Sequence, residues 1–257
     1  MFLENKELDK SVPIPLYFQL KKLIVDEIKS KNYEVDSLIP TEKELSDQFN
    51  ISRTTVRQAI TELVQEGWLY RIKSKGTFIA RQKLPQDFLQ RLETFGDQME
   101  RLGVKASTKV VEFKVEQASG EVAENLEIEE GSKVIYLFRY RFGDNDPVVT
   151  VATYLPYDRC SFLMDYDFEK SSLYDCLATH RETRIYGAHR LVEAVEANAE
   201  DEKYLDIKKG APVQLVHTVG FTDEGVPLEY SIARYRGDMS RFQTTVYMVP
   251  EKSRKNK

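Results

Sequence analysis

The strongest constraint on how this chain folds is a run of three short helical periodicities, divided by tight breaks, within its first eighty residues. Pro13 and Pro15 bound a short extended entry, after which Leu16, Leu20, Leu23, Ile24 and Ile28 recur at helical spacing and predict a helix over about 16–30. Thr41 followed three residues later by Glu44 is a capping-box pattern, in which hydroxyl and carboxylate each satisfy a free backbone donor. It opens a short helix over about 42–48 that turns Leu45 and Phe49 inward. Asn50-Ile51-Ser52 makes a turn. Ser52 can cap a third helix carrying Val56, Ala59, Ile60, Leu63 and Val64, and Gly67 can stop it in a left-handed conformation. Trp68 to Ile72 is then strand-like, Lys73-Ser74-Lys75-Gly76 is a basic turn, and Thr77-Phe78-Ile79 returns as a second strand. Three short helices with a tight turn between the second and third, followed by a hairpin, form a winged helix-turn-helix arrangement.

The side chains left outside this small core suggest its use. Arg53, Thr54 and Arg57 lie near the first turn of the third helix, the part that a recognition helix brings to base edges. Arginine offers a rigid fork for guanine, and threonine can bond phosphate or meet a thymine methyl. Lys73 and Lys75 would supply phosphate or minor-groove contacts, and Gly76 permits a tight tip. The plain alternative is a packing module with a solvated turn. Net charge over the 257 residues is -5, which taken whole argues weakly against nucleic acid, but charge acts where it is placed. From Ile51 to Lys83 there are 7 basic residues (Arg53, Arg57, Arg71, Lys73, Lys75, Arg81, Lys83) against the acidic pair Glu62 and Glu66. Residues 84–257 carry 23 basic and 30 acidic side chains, so the cationic surface belongs to the amino-terminal module alone.

The rest of the chain has a different rhythm. Residues 81–90 have the composition of a connector, and Leu92, Phe95, Met99 and Leu102 predict a helix ending near Gly103. Strand-like alternation follows over 109–115, 133–142, 148–155, 184–195, 213–221, 228–236 and 243–249, with helices at 119–126, 172–179 and 200–206. The expected class is α+β, an antiparallel sheet with helices segregated to one side. Arg139 and Arg141 are two apart, so on a strand they share a side, where they repel unless an anion, a carboxylate or water lies between them; an ion-pair pattern on a wet face is the alternative. Cys160 and Cys176 form no metal cluster, and three histidines make a poor zinc site, so neither metal nor cofactor is expected. Glu193, Glu196 and Glu229 are available carboxylates, but no acid-base pair or activated nucleophile stands out, so an enzyme is not expected. With no apolar run near 18 residues and no signal-like start, no membrane partner is expected and the cytoplasm is the default location.

The run Pro40-Thr41-Glu42, Leu45, Phe49, Ile51-Ser52-Arg53-Thr54-Thr55-Val56-Arg57-Gln58-Ala59, Leu63, Glu66-Gly67 and Lys75-Gly76-Thr77-Phe78 closely resembles the winged-helix domain of GntR-family regulators. Further on, Glu93-Thr94-Phe95, Ser171-Ser172-Leu173-Tyr174, Gly210-Ala211-Pro212-Val213, Pro227-Leu228-Glu229-Tyr230-Ser231 and Tyr235-Arg236-Gly237-Asp238 resemble the chorismate-lyase-like effector (UTRA) domain of the HutC subfamily. The resemblance implies a DNA-binding domain over 10–80, a linker over 81–90 and an effector-binding and dimerisation domain over 91–250. It implies double-stranded operator DNA, a small metabolite and a second copy of the chain as partners, with repression the expected output. By the same resemblance Lys43, Arg53, Thr54, Thr55, Arg57 and Gly76 face DNA, and Arg139, Arg141, Ser172, Glu229 and Tyr235 belong to the effector pocket. Subfamily members that bind amino-sugar phosphates have an acidic residue where this chain has Val151 and an arginine about where it has Gly187, departures that argue against that effector. Tyr154, Tyr186, His189 and Arg190 are candidates to shape a different pocket, the tyrosines equally so for core or interface.

Overall fold

The structure is a computed structural model of the chain that describes residues 2–4, 6–30, 33–81, 83–86, 91–242 and 244–245. It divides into two compact units, residues 1–82 and 83–257.

The first unit contains α1 (Leu16–Lys29), α2 (Glu42–Phe49), α3 (Arg53–Gln65) and the antiparallel hairpin β1 (Leu69–Ile72) and β2 (Gly76–Ile79). Its helix boundaries follow from local chemistry. The Thr41–Glu44 capping box is closed at the start of α2, and Asn50 ends that helix in the left-handed region at φ 49°. Ser52 caps α3 by accepting the Thr55 N–H. Beyond Glu66, Gly67 adopts φ 78°, a conformation that costs glycine little. Leu20, Ile24, Leu45, Val56, Ala59, Ile60 and Leu63 are buried together. Each fully buried leucine or isoleucine contributes roughly 1.5–3 kcal/mol relative to exposure, so this small head has the apolar content of an independent core. Phe2 and Leu3 join it, held by Gln48 Nε2, which donates to their carbonyls at 3.3 and 3.1 Å. No periodicity marks those two residues in the sequence.

The second unit begins with β3 (Leu84–Gln86), so part of the expected 81–90 connector is a strand, paired in parallel with β10 (Ser240–Phe242). Residues 82 and 87–90 lie outside the described residues. Next come α4 (Phe95–Arg101), β4 (Ala106–Gln117), α5 (Gly120–Leu126), β5 (Lys133–Gly143), β6 (Asp146–Pro156), α6 (Tyr157–Cys160) and α7 (Leu173–Leu177). They are followed by β7 (Gly187–Glu196), α8 (Ala199–Leu205), β8 (Pro212–Phe221) and β9 (Pro227–Arg236), with short 3-10 turns at Ser161–Asp165 and Arg181–Thr183. Six of these strands form an antiparallel sheet in the order β4-β5-β6-β9-β8-β7. The strand expected at 243–249 falls mostly on residues outside those described.

Helices cover both faces of the sheet, not one. On one face Ile135, Leu137 and Leu155 pack with Leu173, Cys176 and Leu177 of α7; on the other Val134, Tyr154 and Tyr230 pack with Val122, Ala123 and Leu126 of α5. The reason is alternation: consecutive residues of β5 point to opposite faces, and here both sets are apolar, so each face needs cover.

Candidate functional site

The first site is the outer surface of the winged helix. Arg53 occupies the first turn of α3 and Arg57 the next, four residues on, so both guanidiniums leave the same side of the helix. Arg53, Thr54 and Arg57 are exposed, as is Lys43 on the first turn of α2. Among the described residues none of the three cations takes an ion-pair partner. Thr55 differs: it is half-buried, and its Oγ1 lies 2.8 Å from Ser52 Oγ inside the cap. Arg71, counted in the basic stretch, is engaged by Glu42 at 3.1 Å and Thr61 at 3.4 Å. In the hairpin turn Lys73 and Lys75 are exposed, and Ser74 adopts φ 66°. Gly76 has φ 128°, a backbone conformation that demands glycine, and a Cβ there would also come within 2.5 Å of Cδ1 of the exposed Leu38, which would have to turn aside.

The second site lies wholly within the second unit. A cavity of about 660 Å³ opens over one face of the sheet, and its floor is set by strand parity: Arg139 and Arg141 from β5, Val151 from β6, Glu229 and Tyr235 from β9 and Arg190 from β7 all reach it. The wall opposite is the start of α7, with Ser172 capping that helix by accepting the Asp175 N–H at 3.4 Å. Arg139, Arg141, Ser172, Glu229 and Tyr235, separated by up to 96 positions in the chain, are thus brought to one enclosure.

Arg139, Arg141 and Arg190 share the floor with Glu229, which accepts the Tyr174 hydroxyl at 2.7 Å, while Glu93, Asp97, Glu100, Glu169 and Asp175, with Lys105 and Lys170, line the rest of the cavity. Arg139 is 2% exposed and donates to Thr153 Oγ1 at 3.2 Å, but its Nε, like that of Arg141, is buried with no partner among the described residues. Burial first, and the Arg141 charge second, push the Arg139 pKa well below its ordinary value, with Glu229 opposing. Burial likewise lowers Arg141, whose guanidinium sits 5.3 Å from the centre of the Phe95 ring. Arginine keeps its proton regardless, so this cost is carried as unrelieved charge. Side chains two apart on a strand are about 7 Å apart at their base, and two unit charges at that distance repel by roughly 2 kcal/mol at an effective dielectric near 20. Tyr174 is held protonated chiefly by burial and then by the Glu229 charge beside it.

The structure changes what Gly187 implies. Gly187 packs under the Phe221 ring and does not reach the cavity, whereas Arg190, three residues further along β7, does. Val151 does line the cavity, so a carboxylate at that point is absent. Of the other pocket candidates, Tyr154 stacks between Tyr136 and Tyr230 on the opposite face, Tyr186 is 72% exposed, and His189 lies against Phe221. Tyr174 and Phe95 carry the cavity chemistry that single-residue reasoning missed. Their signal was present only inside the runs Ser171-Ser172-Leu173-Tyr174 and Glu93-Thr94-Phe95.

Comparison with known proteins agrees with this division. Residues 16–79 match the family described as bacterial regulatory proteins, gntR family, and residues 101–241 match the UTRA domain. The HTH-type transcriptional repressor NagR of Bacillus subtilis (strain 168) is 32% identical over 235 residues, 91% of this chain and 96% of that protein. The HTH-type transcriptional regulator GmuR of the same organism is 34% identical over 218 residues, covering 82% and 90%. The crystal structure of PhnF from Mycobacterium smegmatis superposes with a TM-score of 0.73 at 23% identity, over 90% of this chain and 98% of that one, a likeness of fold. Among the described residues no helix is long and apolar enough to cross a membrane. With a gntR-type winged helix, a UTRA domain and relatives alike over nearly their whole length, the chain belongs to the GntR family of transcription regulators, in its UTRA-bearing, HutC-type branch.

Proposed function

We propose that the protein is a homodimeric repressor that leaves its operator when an anionic metabolite enters the cavity of the second unit. The observation that carries this reading is the pair of buried arginines, Arg139 and Arg141, whose Nε donors have no partner among the described residues. A ligand with an anionic group relieves their repulsion, while Glu229 and the Tyr174 hydroxyl suit the hydroxyl or amine end of the same molecule. Ser172 and Tyr235 complete the contacts on the wall and floor. The volume suits a single small metabolite. On the first unit Arg53 and Arg57 read base edges, Thr54 and Lys43 flank them, and Lys73, Lys75 and Gly76 follow the backbone or minor groove. Thr55 acts mainly through the cap that places Arg53. Repression is supported by the name of the NagR relative, and two copies suit the two half-sites of a palindromic operator.

The cavity is read as binding, not catalytic: Glu229 and Tyr174 form a hydrogen-bonded pair on its floor that suits a ligand's polar end, and neither Glu193 nor Glu196 is among its lining residues. Calorimetric titration of the full chain with sugar phosphates, carboxylates and amino acids, with and without operator DNA, tests the proposal. An anionic compound is expected to bind and to weaken operator affinity by the same factor by which DNA weakens its own binding, as linkage requires. Tight binding of a neutral compound with anions ignored would overturn the anionic assignment, and turnover of any compound would overturn the binding-only reading.

A further inference from the structure

The hairpin of the first unit is widened by a short third segment. Leu38, in the stretch before α2, lies opposite Phe78 of β2. The pair is closed on both sides, by the Ile39 N–H donating to the Thr77 carbonyl at 3.0 Å and the Ile79 N–H donating to the Ser37 carbonyl at 2.9 Å. Partners across a ladder share a face, so Leu38, Phe78 and Tyr70 line up on one side, and Ile72, two residues along β1 from Tyr70, lies on that side too. The other side faces the core, where Ile39, Leu69 and Ile79 are buried with the helices. On the outer side Tyr70 and Phe78 are half-buried, stack at 5.4 Å and are tied down by the Tyr70 hydroxyl, which donates to Asp36 at 2.8 Å. Toward the turn the same face is bare: Leu38 is 58% exposed and Ile72 39%.

These two aliphatic side chains straddle Gly76. Ile72 is its partner across the ladder, and Leu38 reaches over it from the other side, where a Cβ on Gly76 would press on Leu38 Cδ1. The hairpin end therefore presents bare backbone between two apolar ridges, with the exposed Lys73 and Lys75 beside them in the turn. That order of groups is complementary to a minor groove, whose walls are the C–H edges of deoxyribose bordered by rows of phosphate.

We infer that Leu38 and Ile72 pack against the deoxyribose walls of the minor groove on either side of Gly76, while Lys73 and Lys75 take the phosphates. The inference rests on the reading of the hairpin as a DNA contact and adds to it a part that is not electrostatic. The apolar face is continuous with the turn that carries Gly76 and the lysines, so DNA held there covers both at once. Lysine contacts with phosphate release counterions and weaken as salt rises, whereas aliphatic contact with sugars displaces only water. Sugar edges are alike for every base pair, so Leu38 and Ile72 sense the width of the groove and not the identity of its bases.

The test uses the full chain and a duplex that the wild-type protein selects from a random pool. Leu38→Ser combined with Ile72→Ser is expected to lower affinity for that duplex roughly tenfold, with the melting temperature and the slope of log affinity against log salt both unchanged. Leu38→Ala alone is the milder variant, expected to lose affinity in the same direction, and it decides the matter if the double variant unfolds. Hydroxyl-radical cleavage, which attacks sugar hydrogens along the minor groove, gives the direct readout: the wild type is expected to protect a short run of sugars that the serine variant leaves open. A loss of affinity with a flatter salt slope overturns the inference, because the lysines would then have moved. Unchanged affinity and protection, with Lys73→Gln and Lys75→Gln still flattening the slope, leaves the hairpin on DNA and removes Leu38 and Ile72 from the contact. If the lysine changes leave the slope alone and the wild type protects no such sugars, the hairpin reading falls as well. A serine variant that keeps its sugar protection but sediments as a smaller species would make the patch an interface between copies, which also overturns the inference.

Discussion

Arg53 and Arg57 in the first unit and Arg139 and Arg141 in the second are the same chemical group in opposite settings. The first pair is exposed on a helix, where water supplies most of the solvation and the charges hold themselves apart at little cost. The second pair is buried over a sheet, beside Thr153, Phe95 and the carboxylate of Glu229. The difference teaches that exposed arginines can wait for a polyanion without harming the fold, and their contribution is screened by salt. Buried arginines store an electrostatic cost in the empty protein, and a ligand able to relieve it gains a matching preference for that site.

The largest effect that would break the comparison is at Arg139. Arg139→Met removes the buried guanidinium at similar volume, and the ligand-free protein is expected to gain stability by about 1 kcal/mol or more in thermal unfolding, while metabolite-driven release from DNA is abolished. A fall in melting temperature would show that Arg139 is already balanced inside the protein. Next, Arg53→Ala should leave the melting temperature unchanged and cost about 1–3 kcal/mol of specific binding, relaxing one operator position. Equal losses on matched and random duplexes would assign Arg53 to phosphate. The smallest effect sharpens the contrast further: Lys73→Gln with Lys75→Gln should weaken many sequences alike and flatten the dependence of log affinity on log salt by about 0.9 for each phosphate no longer neutralised. An unchanged slope would place the hairpin turn off the DNA.

How much of this was legible in the chain differs between the two units for the same kind of reason. The winged helix could be read almost to the residue, because Thr41, Glu44, Ser52 and Gly67 act within three or four positions of themselves and the apolar spacing of α1 and α3 is undisturbed. What escaped was Phe2 and Leu3 entering that core, held across more than forty residues by Gln48. In the second unit the strands were legible from alternation, but a helix on only one side was expected. Tyr154 and Tyr230, placed here under α5, look in sequence like any other tyrosines of a half-wet sheet.

Sequence alone determined the elements and the parity of their side chains: a capped three-helix head with its cations outside, and a strand on which Arg139 and Arg141 share a side. It did so because caps, turns and alternation are local and act through the nearest backbone. Only the tertiary structure decided which distant side chains meet, since strand order and not spacing brings Arg190, Tyr174 and Glu229 to those arginines and leaves Gly187 under a phenylalanine ring. Such neighbours are chosen by the burial of both sheet faces at once, a condition on the whole unit that no short stretch of the chain contains.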